Sequence, residues 1–403
     1  MKNVVKYLLA FIIILSYSCN KDDNRIAKEP ELVWSSPLKG DTLVLTMKPV
    51  IYQNIVLHSQ VVLGNDYTPI VAYDKNTGEK LWSWHDYFIV GEVFYGSNHK
   101  MILYENYLTF STNGKNVYTI DLSTGQTVWR TPNDGLGGNR NISSLENLIF
   151  HVTLLPGRSE YHLNIVDIHT GNWQTIYTTQ AEADYLPDLT VPSYYINEIG
   201  DTLLLFLNNR YSFDVQKGHP ELICYNLTKS EVVYEKEITS PTNGYGVVRE
   251  PLVYNDNVYF HVGPYVYCYD IMTGERRWSK LLEDIVGSIG FILEDDRLFV
   301  GIEGLDPKLY AIEPNTGMQL WKIESSGTSS MMDYYDGVIY FNGGGNGLLH
   351  AVNAQTGEYI WQYTSPDLEE HSGAWFDSFI TIDKETGRIH TANFLNALCF
   401  EAM

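Results

Sequence analysis

The sequence predicts an all-β fold, an eight-bladed β-propeller of four-stranded antiparallel blades, with seven blades as the fallback. Three observations predict it. A frame of Asp or Asn, two spacers, Thr-Gly, three spacers and Trp recurs along the chain. Its copies stand forty to sixty residues apart, which is the length that four strands and their turns require. An orphan Trp strand near the N-terminus answers three strands at the C-terminus that have no Trp strand after them. Joined, they close the ring and remove the open edges that invite aggregation.

The frame first appears in "AYDKNTGEKLW" as Asp74, Gly78 and Trp82, then in "IDLSTGQTVW" as Asp121, Gly125 and Trp129. "YDIMTGERRW" gives Asp270, Gly274 and Trp278; "IEPNTGMQLW" gives Glu313, Gly317 and Trp321; "VNAQTGEYIW" gives Asn353, Gly357 and Trp361. Two copies are degenerate: "VDIHTGNWQT" keeps Asp167 and Gly171 but has Thr175 in the Trp place, and "YNLTKSEVVY" keeps Asn226 and a closing Tyr234. An Asp or Asn side chain ending one strand accepts hydrogen bonds from the backbone just ahead, and Gly supplies the positive φ that closes the turn. The indole is a plate for a neighbouring blade, since no single blade buries both of its faces. "ELVWSSPL" carries the orphan Trp34. Between the anchors, "YENYLTF", "LENLIFHV", "YNDNVYFHV" and "YYDGVIYF" place Asn or Asp-Gly turns between apolar runs, the signal for a tight hairpin within each blade.

Composition agrees with strands and turns: the 403 residues are 44% hydrophobic and 19% charged, with 30 Tyr and 32 Gly. The first residues stand outside the fold. Lys2 and Lys6 precede the apolar run Leu8 to Leu15, too short to span a bilayer, and "SYSC" ends it at Cys19. Ser18 before Cys19 resembles a bacterial lipobox, although Ser16 stands where that motif usually has Leu or Val. Residues 1–18 are expected to be a signal peptide, 19–30 a tether lipidated at Cys19, and 31–403 one propeller domain. "NKDDN" after Cys19 resembles the acidic tag that sends some lipoproteins to the cell surface.

The pattern resembles the tryptophan-docking repeat of the PQQ-type β-propellers, the family that contains quinoprotein dehydrogenases and BamB-type outer-membrane assembly lipoproteins. WD40 and kelch arrays fit worse, because the Trp-Asp ending and the double-Gly signature are missing at the required places. The resemblance implies a lipid-anchored, non-catalytic scaffold at the outer membrane, facing the periplasm or the cell surface and contacting a membrane or surface protein. Dehydrogenases of this type carry adjacent cysteines, a calcium site and basic residues that hold an anionic cofactor. Here no two cysteines are adjacent, no calcium loop appears and no run of Lys and Arg stands out, so neither enzyme activity nor a cofactor is expected. A formal charge of −22 excludes nucleic acid, and leaves the membrane reached only through the anchor.

Cys224, Cys268 and Cys399 each lie two residues before an anchor, where other blades have Ala72, Ala311 and Ala351. They are expected to be free thiols standing in for Ala. His58, His151 and His261 each follow a turn Asn by four residues, in blades spread around the ring, and are expected to be structural rather than metal ligands. Long loops are candidate binding segments: "WHDYFIVGEVFYG", "TTQAEADYLPDLTVPSYY", "NNRYSFDVQKGHPE" and "SPDLEEHSGAW". In the first, Trp84, Tyr87, Phe88 and Tyr95 are an expected aromatic platform for a protein or, as the alternative function, a surface glycan.

Overall fold

A computed structural model describes residues 29–38, 44–62, 70–86, 100–112, 116–131, 142–154, 160–181, 185–212, 217–239, 250–282, 286–304, 306–326, 332–343, 346–376 and 379–402. Residues 1–28, among them Cys19, and Tyr87, Phe88 and Tyr95 lie outside the described residues.

Eight antiparallel sheets form eight blades, and no helix is present among the described residues. Each blade runs through strands A to D, with the A strands of neighbouring blades touching around the axis. Blade 1 is Val50–Tyr52, Ile55–Val62, Ile70–Asp74 and Lys80–Trp84, with Val44–Thr46 pairing the far half of its B strand. In blade 8, Thr381–Ile382, Arg388–Ala392 and Asn396–Glu401 take Glu31–Pro37 as the D strand. The two ends of the chain therefore close the ring, as the orphan strands required.

The apolar residues separate into eight clusters, one for each seam between blades. Strand alternation produces this division. In blade 5, Val258, Phe260 and Val262 face blade 4, whereas Tyr259 faces blade 6. Every blade thus lacks a complete core by itself, and closure is what buries both faces.

The repeat frame seals these seams in one fixed way. The Asp74 carboxylate accepts the Asn76 and Thr77 N–H groups at 2.9 Å. Burial alone pushes its pKa up, but these turn hydrogen bonds outweigh it and leave the group below the usual carboxylate range. Gly78 then takes φ +73, and Trp34 of blade 8 lies flat against it. Trp82 covers Gly125, Trp129 covers Gly171, Trp278 covers Gly317 and Trp321 covers Gly357. The indole N–H groups of Trp34, Trp129, Trp278 and Trp321 donate to the carbonyls of Lys75, Ile168, Pro314 and Ala354, each one residue after the anchor. Tyr234 reproduces the device: its ring covers Gly274 and its hydroxyl donates to Ile271 O at 2.8 Å.

Pairing register explains the cysteines. The residue directly across from each docking ring is small: Ala72, Thr119, Cys224, Cys268, Ala311, Ala351 and Cys399. A larger side chain there would push the ring off its neighbour. The three described cysteines are free and buried, one in each of three blades. Blade 3 shows the converse. Without an indole the register shifts, so that Thr175 stands across from Asn164 and donates to its Oδ1 at 2.8 Å, and the next blade's turn has Ser230 at φ +56 where others have Gly.

Blade 8 has no turn joining its C and D strands, because these come from opposite ends of the chain. Accordingly Trp361, although buried, finds no acceptor for its indole N–H among the described residues. An Asp383–Gly387 turn between strands A and B replaces the missing device, with Gly387 at φ +75 against the Tyr335 ring of blade 7. The closing seam also holds a buried ion pair, Lys75 Nζ to Asp383 Oδ2 at 2.9 Å.

The three histidines lie on B strands. His58 and His151 occupy the same B-strand position, three residues beyond the pair to the anchor. His261 is one residue further along, because the blade 5 turn is Asn255–Asp256 and Asn257 already pairs with Asp270. The shared offset expected for all three holds for two.

Candidate axial binding site

The A strands frame the site. Pro49, Pro192 and Pro251 directly precede the A strands of blades 1, 4 and 5, and their carbonyls are used across the seams. Ser143 donates to Pro192 O at 2.6 Å, Thr381 to Pro49 O at 2.6 Å, and Ser193 to Pro251 O. Proline has no N–H to leave unpaired beside the axis, and each hydroxyl fixes the spacing of two blades. Further along the same strands, Tyr195 and Tyr254 donate to Asp256 and Asp296 in the next blade's hairpin turn, at 2.7 and 2.8 Å.

An ion pair spans three blades: Lys100, before the A strand of blade 2, meets Glu250, before that of blade 5. It marks the boundary between two cavities. The larger, about 560 Å³, lies against Ile102, Ser144, Tyr194, Val253 and Phe291. The smaller, about 440 Å³, lies against Lys48, Lys100, Met101, Thr381, Ile382 and Lys384. Both fall in the size range of small-molecule sites.

No run of basic residues is visible along the sequence, yet the ring brings Lys48, Lys100 and Lys384 to one cavity from blades 1, 2 and 8. Separation by up to 336 positions hides this cluster from any sequence window. Asp383 also borders the cavity, but its carboxylate turns into the closing seam. There burial pushes its pKa up, and the hydrogen bonds from Lys75 and Thr386 outweigh burial and hold it down.

The loop predictions fare differently. Trp84 does not belong to an exposed platform: it is 3% exposed, stacks edge-on against Phe110 and Tyr118, and donates to Thr127 Oγ1 at 2.9 Å. An apolar ring at the end of a D strand is better buried in the seam with blade 2 than left in water. The segment between blades 3 and 4 is partly core as well. Leu186 and Leu189 pair with Tyr211 and Asn208, and Leu189 and Val191 are buried. The sequence "NNRYSFDVQKGHPE" falls largely within a long hairpin, Thr202–Ser212 and Lys217–Asn226, which carries the Arg210–Glu221 ion pair at 2.5 Å. Beside this hairpin Tyr185 packs edge-on against His219, at 4.8 Å between ring centres. Before blade 8, Asp367 accepts the Asn393 and Asn396 side-chain amides at 2.6 Å, and Trp375 remains 47% exposed.

A family model described as outer membrane protein assembly factor BamB matches residues 26–179 and 264–375. The chain belongs to the BamB family. A comparison with curated protein sequences gave no match. Among solved structures, BamB from Moraxella catarrhalis is similar at TM-score 0.60 and 12% identity, over 92% of this chain and 99% of that one. A quinohemoprotein alcohol dehydrogenase from Comamonas testosteroni is similar at TM-score 0.66 and 11% identity, over 94% and 78%. A europium-containing methanol dehydrogenase gives 0.64 and 10%, over 94% and 87%. Identities this low establish the shared propeller alone.

The quinoprotein neighbours raise the question of a quinone cofactor and its metal. Among the described residues of this BamB-family chain, none forms the metal-binding set that pair would need. The described cysteines sit in separate blades, and no group of three His, Cys, Asp or Glu side chains converges among the described residues. The lysines supply charge but no metal-binding set.

Proposed function

We propose that this protein is a non-catalytic scaffold, lipid-anchored through Cys19 at the outer membrane, that holds a membrane or surface protein through its loop face. Membership of the BamB family is the observation that carries this reading. The geometry is consistent with it: ring closure makes a rigid platform, and the long blade 4 hairpin with Tyr185 and His219 offers aromatic, partly exposed contact residues. The sugar platform loses its one described member with Trp84 in the seam.

The test is site-specific photo-crosslinking of the full-length protein in native membranes, with probes at Tyr211 and His219 and a control probe at Leu320 on an outer strand. A discrete outer-membrane protein adduct at the hairpin, absent from the Leu320 control, is expected. Equal, diffuse labelling at all three positions would refute the docking face. Metabolic labelling with a fatty acid, lost in Cys19→Ala, checks the anchor.

A further inference from the structure

The smaller axial cavity concentrates positive charge in a chain of formal charge −22. Lys48, Lys100 and Lys384 reach it, and two carboxylates answer them. Lys384 Nζ lies 2.7 Å from Asp333 Oδ1, Lys100 pairs with Glu250, and Lys48 Nζ stands 4.0 Å from Asp333 Oδ2, beyond hydrogen-bond reach of it. Asp333 is further committed, since its Oδ2 accepts the Ile382 N–H at 3.0 Å. The lysine side chains keep 36%, 34% and 55% of their surface, whereas those of Asp333 and Glu250 keep 15% and 16%. The lysines are thus the more exposed partners and the carboxylates the more enclosed ones, while Lys384 Nζ also donates to Tyr334 O.

We propose that this cavity binds a small polyanion, a compact polycarboxylate or a phosphate compound, held by Lys48 and Lys384 with Lys100 contributed by the next blade. Three cations against Asp333 and Glu250 leave a net positive site, since Asp383, which also borders the cavity, is neutralised by Lys75 at 2.9 Å, and low-dielectric walls of Pro49, Val50 and Met101 focus its field. A volume of about 440 Å³ admits a small molecule and excludes a folded partner. The surrounding acidic surface repels anions elsewhere, so selectivity for this one place follows from the charge distribution. The site is independent of the scaffold reading, because it lies at the axis and uses none of the blade 4 hairpin.

Isothermal titration of the intact protein at low ionic strength tests this, with citrate and inorganic phosphate as probes and glucose as a neutral control. Saturable one-to-one binding of an anion is expected, and none of glucose; citrate or phosphate preference identifies the chemistry. Lys48→Gln and Lys384→Gln should each weaken it by roughly ten- to a hundredfold, the worth of a charge-assisted hydrogen bond. Asp333→Asn should strengthen it severalfold by releasing the competing lysines, a gain that misfolding does not mimic. Lys80→Gln, on an outer strand, should leave it unchanged. Absence of saturable binding for both anions, or undiminished binding in the Lys48→Gln/Lys384→Gln double variant, would overturn the proposal.

Discussion

Gly357→Ala compared with Gly200→Ala isolates what the indole seal contributes. Both glycines have positive φ, +78 and +85, but they differ in surroundings. A Cβ at Gly357 would lie 2.8 Å from two ring carbons of Trp321, whereas one at Gly200 would meet nothing within 4 Å. The left-handed backbone costs alanine about 1–2 kcal/mol at either site, offset by roughly 0.4–1 kcal/mol from a stiffer unfolded chain. At Gly357 the ring must also retreat by well over half an ångström to restore ordinary contact, and such overpacking costs about 1–3 kcal/mol. Its retreat strains the 3.1 Å bond from Trp321 Nε1 to Ala354 O, worth about 1 kcal/mol. Gly357→Ala should therefore destabilise by about 2–3 kcal/mol more than Gly200→Ala, read from urea unfolding midpoints at equal slope. In a Trp321→Leu background the difference should shrink to under about 1 kcal/mol. Equal losses at the two glycines in the parent protein would refute the reasoning that indoles seal the seams.

Ser230→Gly should stabilise the protein slightly, by up to about 1 kcal/mol, because Ser230 takes positive φ with no indole docked there; Gly274→Ser, under the Tyr234 ring, should destabilise it, and the same unfolding assay compares them. Acid should loosen the closing seam. Burial, with His390 as a second cause, lowers the His58 pKa to about 3; burial lowers that of His390 to about 4, with Asp383 opposing and Lys75 and Arg388 assisting. Both folded values lie below the ordinary 6.5, so the unfolded chain binds the extra protons. The stability they contribute is complete above pH 6.5 and falls as pH drops towards 4, by about 2 kcal/mol per histidine at pH 5. Tyr73, Cys399 and Trp34 pack around the pair and bring no charge at this pH. His58→Leu should flatten the slope of stability against pH, and an unchanged slope would count against the buried pair.

Much of the fold was legible because its signals are local. Asp74 to Trp82 carries anchor, glycine and ring within nine residues, and the same window recurs where its neighbours need it. Even the degenerate copies obey this logic, since the lost Trp at Thr175 is matched by Ser230 in the turn that no longer receives a ring. Trp84 was misread because its exposure depends on Phe110 and Tyr118 in another blade. His261 was placed one residue out of register because an Asn in the turn and an Asn beginning the strand look alike in sequence.

The sequence by itself determined the repeat and the splicing of the two ends and favoured eight blades over seven, for each is written in contacts between residues close along the chain or in one orphan strand that answers three at the other end. Only the tertiary structure decided which side chains share the axis. Lys48, Lys100 and Lys384 belong to three blades, and nothing in their own neighbourhoods encodes the meeting that ring closure imposes.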